Sequence, residues 1–100
     1  MSAKFSELIH SAKPVLVDFS AEWCGPCKMM GPILQELKSM VKDEVTIIKV
    51  DVDRNPAVAR NYDIQGVPTL ILFRKGQTLW RQSGVVSASF LKNIIEQHTN

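Results

Sequence analysis

The run Trp23-Cys24-Gly25-Pro26-Cys27-Lys28 holds the only two cysteines among 100 residues, and its surroundings decide what they are for. Ahead of it stands Val15-Leu16-Val17-Asp18-Phe19, a short β-branched run with one acid in it. Behind it Met30, Ile33, Leu34, Leu37 and Val41 fall on one helical stripe, with Lys28, Gln35, Glu36 and Lys38 on the other faces. A cysteine pair that follows a strand and opens a helix is a setting for redox chemistry. The helix N-terminus leaves N–H groups unpaired and carries partial positive charge, which favours thiolate over thiol at Cys24. Pro26 suits the first turn, where its missing donor would be unpaired anyway. Two intervening residues let the sulfurs meet with local adjustment. Cys27 lies about a turn further in, where burial disfavours its thiolate.

Stability is a weak reason for such a bond, since closing so small a loop constrains the unfolded chain by only roughly 2 kcal/mol. A zinc site would need a second half, and His10 and His98 lie near opposite ends of the chain without ligand spacing. Haem attachment would want His where Lys28 stands, and an iron–sulfur cluster would want about four thiolates. Reversible thiol–disulfide exchange is the reading that remains, with no metal implied.

Outward from this run, Phe5, Leu8, Ile9 and Ala12 predict a short helix ending before Pro14. Pro32 removes one donor from the helix after the cysteines and is expected to bend it. Val45 to Val52 reads as a strand apolar enough to be buried on both faces. Asn55, as a capping side chain, and Pro56 open a short helix over Ala57 to Tyr62. Thr69 to Phe73 is a third strand, and Lys75-Gly76 turns it into Thr78 to Gln82. Ser87 caps a last helix with the stripe Phe90, Leu91, Ile94 and Ile95. Met29, Met30 and Met40 read as core filler, and the two histidines as surface residues. The order α-β-α-β-α-β-β-α predicts an α/β fold: a mixed sheet with helices on both faces, parallel where helices join strands and antiparallel at the closing hairpin.

Composition bounds the function. One hundred residues make one domain, 1–100, and 45% hydrophobic with 22% charged residues is ordinary for a globular chain. A net charge of +2 is too mild to imply nucleic acid or an anionic membrane as partner. No apolar run approaches the ~20 residues of a membrane span, and no signal-peptide core is visible near the N-terminus. Two cysteines exclude a disulfide-rich secreted scaffold and point to the cytoplasm.

Ala21-Glu22-Trp23-Cys24-Gly25-Pro26-Cys27-Lys28 resembles the active-site signature of the thioredoxin family. The likeness runs from about Val15 to the end, through Asp18, Asp51 to Pro56, Gly66-Val67-Pro68-Thr69 and Gly84. It implies a thioredoxin-like fold with a four- or five-stranded sheet. The segment before Asp18 is short enough to lack the family's first strand. Ser20 stands where many members carry Trp, so packing near the dithiol is expected to differ.

The resemblance also implies roles. Cys24 attacks a substrate disulfide and Cys27 resolves the mixed disulfide, so that protein disulfides are reduced. Asp18, an acid in an apolar strand where a charge is expensive, is placed to accept the Cys27 proton. Lys49 matches a lysine near that aspartate, although a strand lysine is often a solvated one. Pro68 matches a cis-proline facing the dithiol, leaving the Val67 backbone free to pair with an extended substrate. Trp23, Gly25, Pro26, Gly66, Val67 and Gly84 would make a flat uncharged binding patch, although Trp23 alone could equally be a core aromatic. The family implies a monomer with no bound cofactor, acting on disulfide-containing proteins. A thioredoxin reductase, a flavoprotein drawing on NADPH, would recharge it. An exported oxidase or isomerase, or a binding module with an incidental dithiol, are the rival readings.

Overall fold

The computed structural model describes residues 2–99, with side chains from residue 4. The elements run α1 (Ser2–Ile9), β1 (Val15–Ser20), α2 (Gly25–Val41), β2 (Thr46–Asp51), α3 (Pro56–Asn61), β3 (Thr69–Arg74), β4 (Gln77–Ser83) and α4 (Ala88–Thr99). A short 3-10 turn, Lys42–Glu44, joins α2 to β2. This is the order expected from the sequence. The four strands form one sheet in the order β2-β1-β3-β4, the smaller of the two expected versions.

Period-two alternation divides the core. Val15, Val17 and Phe19 of β1 meet Ile71 and Phe73 of β3 on one face, under Phe5 and Ile9 of α1 and Val58 of α3. Phe5, Tyr62 and Phe73 pack edge to face there, with ring centroids 5.2 to 6.0 Å apart. Leu16, Leu70 and Leu72 point the other way, beneath Met30, Leu37 and Val41 of α2 and Leu91 and Ile95 of α4. Of the three methionines expected in the core, Met30 is buried, whereas Met29 and Met40 are exposed. They lie off the helical stripe that begins at Met30.

The sheet departs from expectation in two ways. β1 and β2 are parallel, as the α2 crossover requires, yet β3 runs antiparallel to β1 although a helix also leads into it. Helix length explains the difference. The 17 residues of α2 span roughly 26 Å, enough to return the chain along a six-residue strand of about 20 Å. The six residues of α3 reach only about 9 Å, so the chain re-enters the sheet at the end it left. Second, β2 is an edge strand and mostly half-exposed, with Val50 alone fully buried, rather than buried on both faces. Its composition is that of a central strand, but no described strand pairs with its outer side.

Caps and ties fix the ends. Ser87 Oγ accepts the Phe90 N–H at 3.1 Å, as a helix cap should. Asn55 precedes α3, but its side chain makes no cap bond and donates back to the Asp51 carbonyl at 2.9 Å. Pro56 leaves that first turn with fewer donors to satisfy. The β3–β4 turn is bound to the end of α1: Lys75 N–H donates to Ser11 O and Gly76 N–H to Ile9 O, both at 2.9 Å. Helix α2 continues through Pro32 to Val41.

Candidate active site

β1 ends at Ser20, and a turn closed by Cys24 N–H on Ala21 O at 3.2 Å carries the chain into α2. Cys24 is the N-cap of that helix, with extended backbone, and its sulfur accepts the Cys27 N–H at 3.1 Å. Pro26 sits in the first turn. The two cysteines are joined by a disulfide with Cα atoms 5.3 Å apart. They are equally enclosed, Cys24 at 4% and Cys27 at 5% exposure, packed with Ala21, Val52 and Val67. The expected contrast in depth is therefore absent from the oxidised pair. What distinguishes them is the cap: one sulfur receives a helix N–H, and the other belongs to the residue that supplies it.

The short α3 brings the opposite wall to the same end of the sheet. Val67–Pro68 is a cis peptide bond, and the Cys24 sulfur lies 3.6 Å from the Val67 carbonyl oxygen. A disulfide sulfur has no proton to donate, so this is a packing contact until the pair is reduced. Val67 stands before β3 begins, outside the sheet pairing. Gly84 N–H donates to Pro68 O at 2.9 Å, and Gly84 holds a φ of +96°, the left-handed region that suits glycine. Thr69 Oγ1 donates to Gly66 O at 2.6 Å and bonds Ser83 Oγ at 2.9 Å, pinning the loop to the end of β4. Thr69 lies within the Gly66 to Thr69 likeness, which gives it no role, and Ser83 was not picked out from the sequence.

Trp23 is no core aromatic. It is 71% exposed, and its Nε1–H donates to Asp53 Oδ2 at 2.8 Å. Asp51 Oδ1 in turn accepts the N–H groups of Asp53 at 2.8 Å and Arg54 at 3.1 Å. Arg54 reaches Glu22 across 3.2 Å. The loop after β2 thus holds the loop before α2, an arrangement whose only sequence trace was the Asp51 to Pro56 run. Trp23, Val52, Ile64, Gln65, Gly66 and Val67 line a small groove of about 90 Å³ beside the disulfide. A larger depression, about 510 Å³, lies by Pro14, Val45 and Arg74 at the other end of the sheet and involves neither cysteine.

Asp18 is 2% exposed, on the face of β1 that also carries Leu16 and lies beneath α2. Burial raises its carboxyl pKa from 3.8 to about 6, and the Lys49 charge opposes part of that rise. Lys49 is exposed and in register with Asp18 on β2, but no ion pair joins them among the described residues. Gly25 and Gly66 have open space where a side chain would stand. His10 and His98 bond carbonyls of their own helices, and no group of three or more His, Cys, Asp or Glu among the described residues could hold a metal. No described helix is long and apolar enough to cross a membrane.

The profile of the thioredoxin family matches residues 1–97. A thioredoxin-like protein of Synechocystis is 49% identical over 90 residues, 89% of this chain and 86% of its own. A bifunctional thioredoxin reductase/thioredoxin of Mycobacterium leprae is 49% identical over 80 residues, 80% of this chain and 18% of its own length. The structure of a mutant thioredoxin from Halobacterium salinarum superimposes with a TM-score of 0.87 at 36% identity, covering 98% of this chain and 85% of that one. With the strand–cysteine–helix geometry and these matches together, the chain belongs to the thioredoxin family: it is a thiol–disulfide oxidoreductase whose redox group is the Cys24–Cys27 pair.

Proposed function

We propose that this chain reduces disulfides of other proteins, with Cys24 as nucleophile and Cys27 as resolving thiol. The observation that carries this assignment is the Cys27 N–H pointed at the Cys24 sulfur from the first turn of α2. That donor and the helix dipole favour negative charge on Cys24 once the pair is reduced. The Cys24 thiolate attacks one sulfur of the substrate disulfide, forming a mixed disulfide and releasing the other sulfur as thiolate. Cys27 then gives its proton to the Asp18 carboxylate, and its sulfur attacks Cys24. The Cys24–Cys27 bond forms, the bond to substrate breaks, and the second substrate sulfur leaves as thiolate. Two electrons pass from the dithiol to the substrate.

Asp18 suits the base role because a carboxyl with a pKa of about 6 is ionised at pH 7 and not far from protonation. Lys49 supports it by favouring the charged form. An extended substrate segment would lie in the groove by Trp23, Gly66 and Val67, its backbone pairing with Val67 across from Pro68. Gly25, Pro26 and Gly84 would complete that surface. Residues 1–100 would act as one domain, as a monomer in the cytoplasm. A thioredoxin reductase using NADPH would recharge the disulfide, a partnership supported by the fusion of the two activities in the Mycobacterium leprae relative.

Insulin turbidity with NADPH and a thioredoxin reductase tests the reading. The protein should accelerate precipitation. Cys24→Ser should abolish it, and Cys27→Ser should leave a substrate adduct on Cys24 visible by mass spectrometry. An adduct on Cys27 in the Cys24→Ser variant, with none in the converse, would reverse the assignment.

A further inference from the structure

Asp18 Oδ1 and Ser20 Oγ are buried atoms without a hydrogen-bond partner. They stand two residues apart on β1, so both side chains leave the same face of the strand. Leu16, on that face, packs under α2 and α4, while Ala21, next to Ser20, packs with both cysteines. Exposure is 2% for Asp18 and 1% for Ser20. Buried polar groups nearly always have partners, so two orphans side by side on one face beneath a redox pair call for a joint explanation. Two residues along a strand cover roughly 6.6 Å. The two side chains do not bond each other directly, and a gap of that size between a carboxyl and a hydroxyl suits one bridging water.

We propose that Ser20 is a positioning residue for Asp18: its hydroxyl donates to the carboxylate through one bridging water and holds it ready for the Cys27 proton. A hydroxyl fits this position because it both donates and accepts, serving the carboxylate before proton transfer and the carboxylic acid afterwards. Lys49, in register on β2, is the charged group facing Asp18. β3 opposes it with Leu70, and the buried residues of α2 and α4 on this face are apolar apart from Cys27. Ser20 is therefore the neutral donor available to the charged carboxyl. The proposal rests on Asp18 serving as base.

The test follows the Asp18 carboxyl carbon by NMR titration in the wild type, Ser20→Ala and Ser20→Thr, oxidised and reduced, beside the pH profile of insulin reduction. Loss of the donor in Ser20→Ala should move the Asp18 midpoint up by about one pH unit, and the profile with it. Ser20→Thr, which keeps the hydroxyl, should return both toward the wild type. An unchanged midpoint in Ser20→Ala, or Ser20→Thr behaving like Ser20→Ala, overturns the proposal. Asp18→Asn separates the two ideas. A pH profile unaltered by Asp18→Asn removes the base role. A profile flattened by Asp18→Asn but insensitive to Ser20→Ala removes only the part given to Ser20.

Discussion

The two faces of β1 make opposite use of the same six residues. One face, Val15, Val17 and Phe19, is apolar throughout and closes against α1, α3 and the aromatic group around Phe5 and Phe73. The other begins with Leu16 and then commits two fully buried positions to Asp18 and Ser20, whose polar atoms are not all satisfied. The first face contributes stability and nothing to the chemistry. The second gives up stability at the position proposed to accept the Cys27 proton. A single strand can do both because alternate side chains never share surroundings.

The comparison breaks most visibly at Phe19. Phe19→Ala should cost about 3–5 kcal/mol in urea denaturation, yet the folded fraction should reduce insulin with ordinary kinetics. A large change in turnover per folded molecule would show that the faces are not separate. Next comes Asp18, where the sign of the pH dependence is fixed by the raised pKa. The folded carboxyl holds its proton more tightly than the unfolded one, so its contribution is most favourable below pH 3.8 and is lost as pH rises through about 6. The penalty above that window is on the order of 3 kcal/mol. Asp18→Asn should remove this part of the slope between pH 4 and 7, leave the protein more stable at pH 8, and slow mixed-disulfide resolution by roughly 10²-fold. Stability curves at several pH values and rapid-quench detection of the mixed disulfide check both halves. The smallest effect is expected at Ser20, where Ser20→Ala removes the hydroxyl proposed to serve Asp18 and should change stability by about 1 kcal/mol. Val17→Ala on the other face should cost about 2 kcal/mol.

Much of this division was legible in the sequence. An acid inside Val15 to Phe19 stands out because the flanking residues are apolar, and a cysteine pair between a strand and a helical stripe has few other readings. The eight elements could be found in order because each is a local pattern closed by Pro, Gly or a cap. The direction of β3 was misread because a helix in the connection was taken to mean a return crossover, when the six residues of α3 are too few to make one. The exposure of β2 was hidden for a different reason. Ile47, Ile48 and Val50 look like the interior of a sheet, and nothing local to a strand says whether a neighbour lies beyond it. Asp53 escaped notice because its role depends on Trp23, thirty residues away.

The bonds from Lys75 and Gly76 back to Ser11 and Ile9 bear on how the chain is made. Helix α1 has only eight residues, too few to persist alone in water. Of the described helices it leaves the ribosome first, but the turn that anchors it is translated after most of the sheet. This helix therefore waits unseated until that turn is made, its apolar side open to the chaperones that meet nascent chains.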